Sequence, residues 1–183
     1  MKLVEVSKGR ATVSSGAGAL EIVIPSRKNI FVLVFLFAWL GGWYFGETSA
    51  IKSLFQPTAH DQWFLMFWLL GWSVGGVFVG FSWLWNLLGK EVLIVRSDVL
   101  IYQRALGPFK LTRSYDLAHV KDLRTTPSPS FMQRQNGFGA LGVSGGQIAF
   151  DYGAKTINIG AGVDEAEAKG LVEMVKQHTG RNK

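Results

Sequence analysis

Two long apolar stretches, at residues 30–45 and 63–88, most constrain what this chain can form. An α-helix rises about 1.5 Å per residue, so about 20 apolar residues cross the roughly 30 Å hydrocarbon layer of a bilayer. The second stretch has 26 residues and no charge, whereas the first has 16 and needs polar neighbours to span. The pattern predicts a transmembrane hairpin within residues 29–89, with helices at about 30–49 and 62–88.

The distribution of basic residues predicts the orientation of this hairpin. Short cytoplasmic segments retain Lys and Arg. Residues 1–28 carry five basic residues against two acidic ones, and Lys90 follows the second stretch. The loop predicted at 46–61 has a single Lys against Glu47 and Asp61. We therefore expect both termini in the cytoplasm and the loop outside. A cleaved signal peptide is the alternative for the first stretch, but strand-like sequence precedes it and no small-residue cleavage site follows.

Both flanking segments show the period-two alternation of β-strands. Residues 1–28 contain short strands that are too few to bury a core, so we expect them to pair with the C-terminal domain. Residues 90–183 contain six predicted strands, a loop rich in Gly, Ser and Pro at 126–146, and a final helix. Asp164 is the predicted N-cap of that helix, and Glu167 completes a capping-box pattern.

The C-terminal domain resembles the pleckstrin-homology-like (PH-like) domains of bacterial membrane proteins. The resemblance rests on the run from residue 90 through 115–120, a hairpin at 148–159 and the final helix, all after a pair of apolar helices. The fourth strand is predicted at 117–125. The resemblance covers about residues 30–178 and rests on the order of elements. It implies a membrane α+β protein, in which a two-helix transmembrane hairpin precedes a PH-like antiparallel β-barrel or sheet capped by a C-terminal helix.

Two glycine motifs in the loop are weak signals for an enzyme. Residues 137–142 match G-x-G-x-x-G, and residues 142–146 match the G-x-S-x-G of hydrolases, with Asp164 and His178 following in the order of a catalytic triad. Both motifs need a preceding strand and a following helix, whereas this loop leads into a strand. We therefore expect no enzymatic activity, no catalytic or cofactor-binding residues and no cofactor.

Metal ligands are also scarce. His60 lies in the predicted outer loop, His119 in a predicted strand and His178 in the last helix, and no pair has the spacing of a metal site. The chain has no cysteine, which excludes disulfides, a thiolate nucleophile and a Cys-ligated zinc, and suits a bacterial inner membrane. We expect no metal site.

The strongest functional signal is a concentration of basic residues at 104–134. Six basic residues face only Asp116 and Asp122 there. Each well-placed Lys or Arg at a membrane surface contributes about 1 kcal/mol to the binding of anionic lipid. The alternative is that these are ordinary solvated side chains. The candidate face for anionic lipid or a protein partner comprises Arg104, Lys110, Arg113, Lys121, Arg124 and Arg134. A candidate contact loop beside it comprises Phe131, Met132, Phe138 and Leu141.

Small residues in the apolar stretches predict helix packing, because they allow backbones to approach closely in lipid. Contacts within the hairpin, in a homo-oligomer, or with another membrane protein all fit this pattern. The second stretch has no ionisable residue, which disfavours a channel or transporter. The glycines with this spacing are Gly42, Gly46, Gly71, Gly75, Gly76 and Gly80.

Together these features predict a non-enzymatic integral inner-membrane protein that presents a PH-like domain to the cytoplasm, where it binds a protein partner or anionic lipid. The alternative is a structural subunit of a larger membrane complex, assembled through the glycine-rich helix faces. Nucleic acid is not an expected partner, because the charge is modest and no recognised motif accompanies it.

Overall fold

The chain divides by its internal contacts into two units. A β unit combines residues 1–27 with 88–183, and a helical unit comprises residues 28–87. The helical unit is therefore an insertion between two parts of the β unit. The computed structural model describes residues 2–4, 9–16, 18–55, 62–127 and 146–180.

The helical unit consists of two long apolar helices, α1 (Ile30–Leu54) and α2 (Gln62–Leu88). At 1.5 Å per residue these helices are about 38 and 40 Å long, which is enough to cross a bilayer. Their most apolar windows have mean hydropathies of 1.6 and 1.8, and only 6% and 11% of those windows are buried. A core helix of a soluble protein would be mostly buried. Length, composition and exposure therefore make both helices candidate membrane spans.

α1 extends beyond the predicted boundary. Asn29 caps its first turn by accepting a hydrogen bond of 3.3 Å from a main-chain N–H. Its last turn includes Lys52, which lies beyond the predicted helix end at about residue 49. The helix continues to Leu54 because this polar stretch contains no Pro or Gly after Gly46. Apolar count alone does not mark the end of a helix.

The β unit begins with an antiparallel sheet of six strands, in which chain order is also sheet order. The strand at Ala19–Pro25 precedes α1 and the strand at Gly89–Val95 follows α2, yet the two pair from Leu20 opposite Val95 to Pro25 opposite Lys90. The N-terminal segment thus belongs to the same sheet as the C-terminal part. The strands are β1 (Lys2–Val4), β2 (Thr12–Gly16), β3 (Ala19–Pro25), β4 (Gly89–Val95), β5 (Val99–Leu106) and β6 (Phe109–Asp116).

A second antiparallel sheet has three strands, β7 (Val120–Thr125), β8 (Ile148–Tyr152) and β9 (Lys155–Ile159). β8 and β9 form the predicted hairpin, and Gly153 supplies the positive φ of +60° in its turn.

The predicted strand at 117–125 is split. Leu117–His119 form a 3-10 helix, capped by the Asp116 carboxylate, which accepts a hydrogen bond of 2.8 Å from the N–H of Ala118. β7 follows, and its register with β8 shifts near Asp122, whose φ is +46°. His119 therefore lies in this 3-10 helix and not in a strand, because the Asp cap favours a turn over an extended chain.

One hydrophobic core joins both sheets to the last helix, α3 (Glu165–His178). β6 meets β8 at Tyr115, whose ring packs edge-on against Phe150 with centroids 5.2 Å apart. Complete burial of one such apolar side chain contributes about 1.5–3 kcal/mol. The fold of the unit is α+β. The predicted apolar stripe of α3 is confirmed, since all four members are buried: Ala168, Leu171, Val172 and Val175.

The predicted capping box at the start of α3 is only half formed. Asp164 accepts a hydrogen bond of 2.8 Å from the N–H of Glu167. The Glu167 carboxylate does not return to the cap, because the N–H of Ala11 donates to it at 2.6 Å. A Cβ on Gly9 would overlap this carboxylate, so glycine gives it room. Glu167 thereby ties the chain before β2 to α3.

Candidate interaction surface

The basic residues predicted to form one face are divided by the structure. Arg104, on β5, points to the core side of the sheet, where its guanidinium lies 3.9 Å from the carboxylate of Glu91. Its Nε also donates a hydrogen bond of 2.8 Å to the hydroxyl of Tyr102. This arginine is partly exposed, and its guanidinium is engaged with Glu91 and Tyr102.

Glu91 is a buried carboxylate that the sequence analysis does not single out. The residue is 4% exposed, and its carboxylate accepts a hydrogen bond of 2.6 Å from the N–H of Gly160. Burial raises its pKa, while the Gly160 hydrogen bond and the charge of Arg104 act in the opposite direction. A signal for this site exists in the sequence. Residues 91, 93 and 95 are two positions apart in one strand, so Glu91 shares the inward side of Leu93 and Val95.

Arg124 is also engaged in ion pairs. Its guanidinium lies 2.6 Å from the carboxylate of Asp122 and 2.9 Å from that of Asp151. Hydrogen bonds from Arg124 and Thr156 hold the pKa of Asp151 below its usual value. Lys121 lies opposite Asp151 in the strand register, and its own side chain is exposed. The outer side of the three-stranded sheet thus carries mixed charge.

Lys110 and Arg113 are exposed on β6, but they lie on opposite sides of the sheet. Lys110 is paired in register with Ala105, whereas Arg113 is paired with Tyr102, a core residue. Cross-strand partners share a side, so the two cations cannot form one flat patch. The candidate basic face stays a prediction, and in it these two cations lie on different sides of β6. Arg134 lies outside the described residues, as does the candidate contact loop of Phe131, Met132, Phe138 and Leu141.

β6 also exposes apolar side chains. Phe109 is 76% exposed and Leu111 is 60% exposed. Within the described part of the β unit, the other strongly exposed large apolar side chain is Leu88, which directly precedes β4. The other large apolar residues described in this unit are buried or half-buried. Exposed apolar clusters on an otherwise well-packed domain commonly mark contact surfaces.

Several chain segments converge at one end of the β unit, which we call the helix-proximal end because the chain continues there into α1 and α2. At this end the N–H of Ser26 donates to the carbonyl of Gly89 at 3.0 Å. The Arg27 side chain donates to the carbonyl of Val163 at 2.9 Å. Gly162 is required here, since a Cβ would overlap the carbonyl of Pro25.

The segment 126–146 leaves from the same end. The N–H of Thr126 donates to Gln147, and the N–H of Gln147 donates to the carbonyl of Gly160 at 3.3 Å. Gly160 in turn donates to Glu91. These links place both described ends of the predicted contact loop beside the exits towards the helices.

The six glycines of the helical unit differ in their surroundings. A Cβ on Gly76 would overlap the indole ring of Trp43, so this glycine accommodates a side chain of α1. The Trp43 Nε1 also donates to the carbonyl of Trp72 at 3.2 Å. A Cβ on any of the other five would meet no described atom within 4 Å beyond its own helix and chain neighbours: Gly42, Gly46, Gly71, Gly75 and Gly80.

Polar contacts also link the two helices. Trp83 donates from its Nε1 to the carbonyl of Leu33 at 2.9 Å. The Ser73 hydroxyl donates to the Glu47 carboxylate. Such hydrogen bonds are typical of helix pairs in lipid, where an unpaired polar group is costly.

A cleft of about 530 Å³ lies between the end of α3 and β7. Apolar side chains such as Leu123 and Val175 line much of it, with Lys121 and Lys176 at its margin. It is open rather than enclosed, and we assign no ligand to it.

The residues singled out for chemistry are dispersed. His119 lies 3.4 Å from Asp116 at the surface, His178 lies in the last turn of α3, and Asp164 is occupied as a helix cap. His60 and most of the two glycine motifs lie outside the described residues. Within the described ranges, no group of three potential metal ligands is found. Comparisons with protein-family models, curated proteins and solved structures found no match to this chain.

Proposed function

We propose that the protein is a non-enzymatic integral membrane protein whose β unit is an interaction module held at the cytoplasmic surface. In this proposal α1 and α2 cross the inner membrane, both termini lie in the cytoplasm, and the β unit is PH-like. It binds a protein partner or anionic lipid headgroups. The small six-stranded and three-stranded antiparallel sheets and the C-terminal helix on a shared core are consistent with the PH-like assignment.

One observation carries the proposal, namely the closeness of the two exits from the β unit. Ser26 and Gly89 are hydrogen-bonded at 3.0 Å, so the chain leaves and re-enters the unit at neighbouring points. β4 begins at the residue after α2 ends, and four residues separate β3 from α1. Two apolar helices joined to a folded unit by such short connections keep it at the surface from which they emerge.

Two exposed cations on β6 support a binding surface on that strand in this proposal. Arg104 and Arg124 are held in ion pairs, whereas Lys110 and Arg113 are exposed next to Phe109 and Leu111. β6 is also the last strand of its sheet. A mixed apolar and basic edge strand is suited to a membrane surface or to a partner that pairs with it.

Cysteine labelling tests the membrane topology directly, because the native chain contains no cysteine. Ser97→Cys, in an exposed turn of the β unit, and Gln62→Cys, at the exposed start of α2, give one thiol on each predicted side. A membrane-impermeant maleimide should label Gln62→Cys from outside the cell and Ser97→Cys only in inverted vesicles. The reverse pattern would overturn the orientation. Release of the protein by alkaline carbonate would overturn integral insertion.

The alternative, a structural subunit assembled through the glycines, is supported by the open positions of Gly71 and Gly75. Leucine at either position meets no described atom of the hairpin near its Cβ, yet it would obstruct a helix packed from outside. Gly75→Leu should therefore dissociate a helix-mediated complex and leave a surface module intact. Lys110→Glu should do the opposite. Chemical cross-linking of each full-length variant in native membranes separates these outcomes.

A further inference from the structure

The strand register brings β6 close to the point at which the chain leaves for α2. Gly89 is paired with Leu106, and Leu106 is paired with Phe109. Neighbouring strands are about 4.8 Å apart, so Phe109 lies about 10 Å from Gly89. β4 runs away from the exit and β5 returns to it. The turn between β5 and β6 is therefore at the helix-proximal end.

The backbone of this turn is set by Gly107 and Pro108. Gly107 has a φ of +57°, and Pro108 has its φ fixed near −65° by its ring. That sequence of signs suits the type II′ turn of a two-residue hairpin, which needs Gly at its first central position. An apolar side chain beside such a turn is presented without a large entropic cost of ordering the loop.

The side chains around the turn combine apolar and basic character. Phe109 and Leu111 are two residues apart, so they lie on the same side of the sheet, and both are strongly exposed. On the other side, Lys90 and Lys110 flank Ala105 in a single row across the sheet, and both are exposed. Arg113 lies four residues from Phe109, about 13 Å further along the strand.

We infer that the β5–β6 turn inserts Phe109 and Leu111 into the interface of the bilayer that α1 and α2 cross, with Lys90 and Lys110 binding anionic phospholipid headgroups. The inference rests on the proposed membrane insertion of the two helices. A lipid surface is favoured over a protein occupant because the turn lies within about 10 Å of the exit to an apolar helix. Leu88, the residue before β4 at that exit, is also exposed.

Site-directed spin labelling of the full-length protein in nanodiscs tests this insertion. The probe replaces Phe109 in Phe109→Cys, and two single-cysteine variants serve as controls. Phe35→Cys, on the exposed side of α1, reports whether the helices are in lipid. Ser97→Cys, in the turn between β4 and β5, reports the opposite end of the same strands. Accessibility to oxygen and to a water-soluble nickel chelate is measured at each label.

The expected result is that the Phe109→Cys label resembles the Phe35→Cys label. It should show an oxygen-to-nickel accessibility ratio several-fold above that of the Ser97→Cys label. The ratio should rise when phosphatidylglycerol replaces part of the phosphatidylcholine. Adding Lys110→Gln should reduce the ratio of inserted to non-inserted molecules about fivefold, the effect of one lysine at an anionic surface.

Two failures are distinguishable. If the Phe35→Cys label is accessible to the nickel chelate, the membrane anchor itself is overturned. If that label is in lipid but Phe109→Cys behaves like Ser97→Cys, only the insertion of the turn is overturned. If Phe109→Cys disturbs folding, judged by circular dichroism, Leu111→Cys provides the same comparison. Leu111 is the next residue on the same side of β6. A protein occupant would appear as protection of the label in cell membranes but not in nanodiscs, which would also overturn the inference.

Discussion

The two units of this chain use apolar side chains in opposite ways. In the helical unit, residues such as Phe31 and Phe64 point outward, and only a small part of the apolar windows is buried. In the β unit, residues such as Ile22, Leu100 and Phe150 are completely buried. The hydrophobic effect stabilises the β unit by removing apolar area from water, whereas it stabilises the helical unit only if lipid surrounds it.

β6 is the place where the β unit departs from this rule. Phe109 and Leu111 are as exposed as the outward residues of the helices, although the strand that carries them belongs to a well-packed sheet. The departure occurs at the helix-proximal end. Membership of the β unit therefore does not by itself ensure that an apolar side chain is buried.

The largest change in the free energy of unfolding is expected when an aromatic ring is removed from the core of the β unit. Phe150→Ala should lower the free energy of unfolding by about 3–5 kcal/mol, because it leaves a cavity in a close-packed core. Phe35→Ala, which removes the same atoms from an exposed position on α1, should leave the stability of the β unit unchanged. Hydrogen exchange of β-unit peptides in detergent measures both. Equal effects of the two variants would contradict the distinction between the units.

An intermediate effect is expected where the helices pack. Gly76→Ala places a Cβ against the indole ring of Trp43 and should destabilise the pair of helices by about 1–3 kcal/mol, a typical cost of overpacking. Gly75→Ala adds the same methyl group in open space and should be near neutral. Tryptophan fluorescence during denaturant unfolding in detergent reports the difference. An equal shift for both glycines would show that the Trp43 contact is unimportant.

The link between the N-terminal segment and α3 should depend on Glu167. Glu167→Ala leaves the N–H of Ala11 without its carboxylate partner, which costs about 1–3 kcal/mol for a buried donor. Glu165→Ala, in the same helical turn and exposed, serves as the control. Amide exchange at residues 9–16 should accelerate only in the first variant. Faster exchange in both variants would mean that the loss of a negative charge near the start of α3, and not the loss of the Ala11 hydrogen bond, causes the effect.

The smallest expected effect concerns the pH dependence contributed by Glu91. Its pKa is raised in the folded state by burial, so the folded protein binds this proton more tightly than the unfolded chain does. The stability contributed by this group is therefore highest below its unfolded pKa. It is lost as the pH rises through the folded pKa.

Glu91→Gln should remove that component, since glutamine does not titrate and still accepts from Gly160. The free energy of unfolding of the wild type minus that of Glu91→Gln, measured from pH 4 upward, should fall as the pH rises. The total fall should be about 1.4 kcal/mol for each unit by which the folded pKa of Glu91 exceeds its unfolded pKa. A difference independent of pH would show that Glu91 titrates alike in both states.

Several elements were predictable because their cause is local. The apolar length of α2, the stripe of α3 from Ala168 to Val175, and the hairpin at Gly153 follow from patterns within a few residues. The end of α1 was missed because helix propensity outlasts the apolar run. The strand expected at 117–125 was missed because one Asp side chain caps a turn there.

The candidate surface was less predictable than the fold. Sequence counting placed six cations in one segment, but it did not indicate that Glu91 and Asp151 lie across from two of them. It also did not apply strand alternation to Lys110 and Arg113, whose odd spacing places them on opposite sides of β6; the register with β5 decides only which of them shares the side of Tyr102. It also overlooked Phe109 and Leu111, because exposure is not visible in an alternating strand.

The sequence by itself determined the two long apolar helices, the alternating strands around them and the amphipathic last helix, because each rests on the spacing of apolar residues along the chain. Only the tertiary structure decided that β3 pairs with β4 across the inserted helices. It also decided that Trp43 packs against Gly76 and that Phe109 lies beside the exit to α2. These features depend on contacts between distant residues, whose register and facing sides no local pattern specifies.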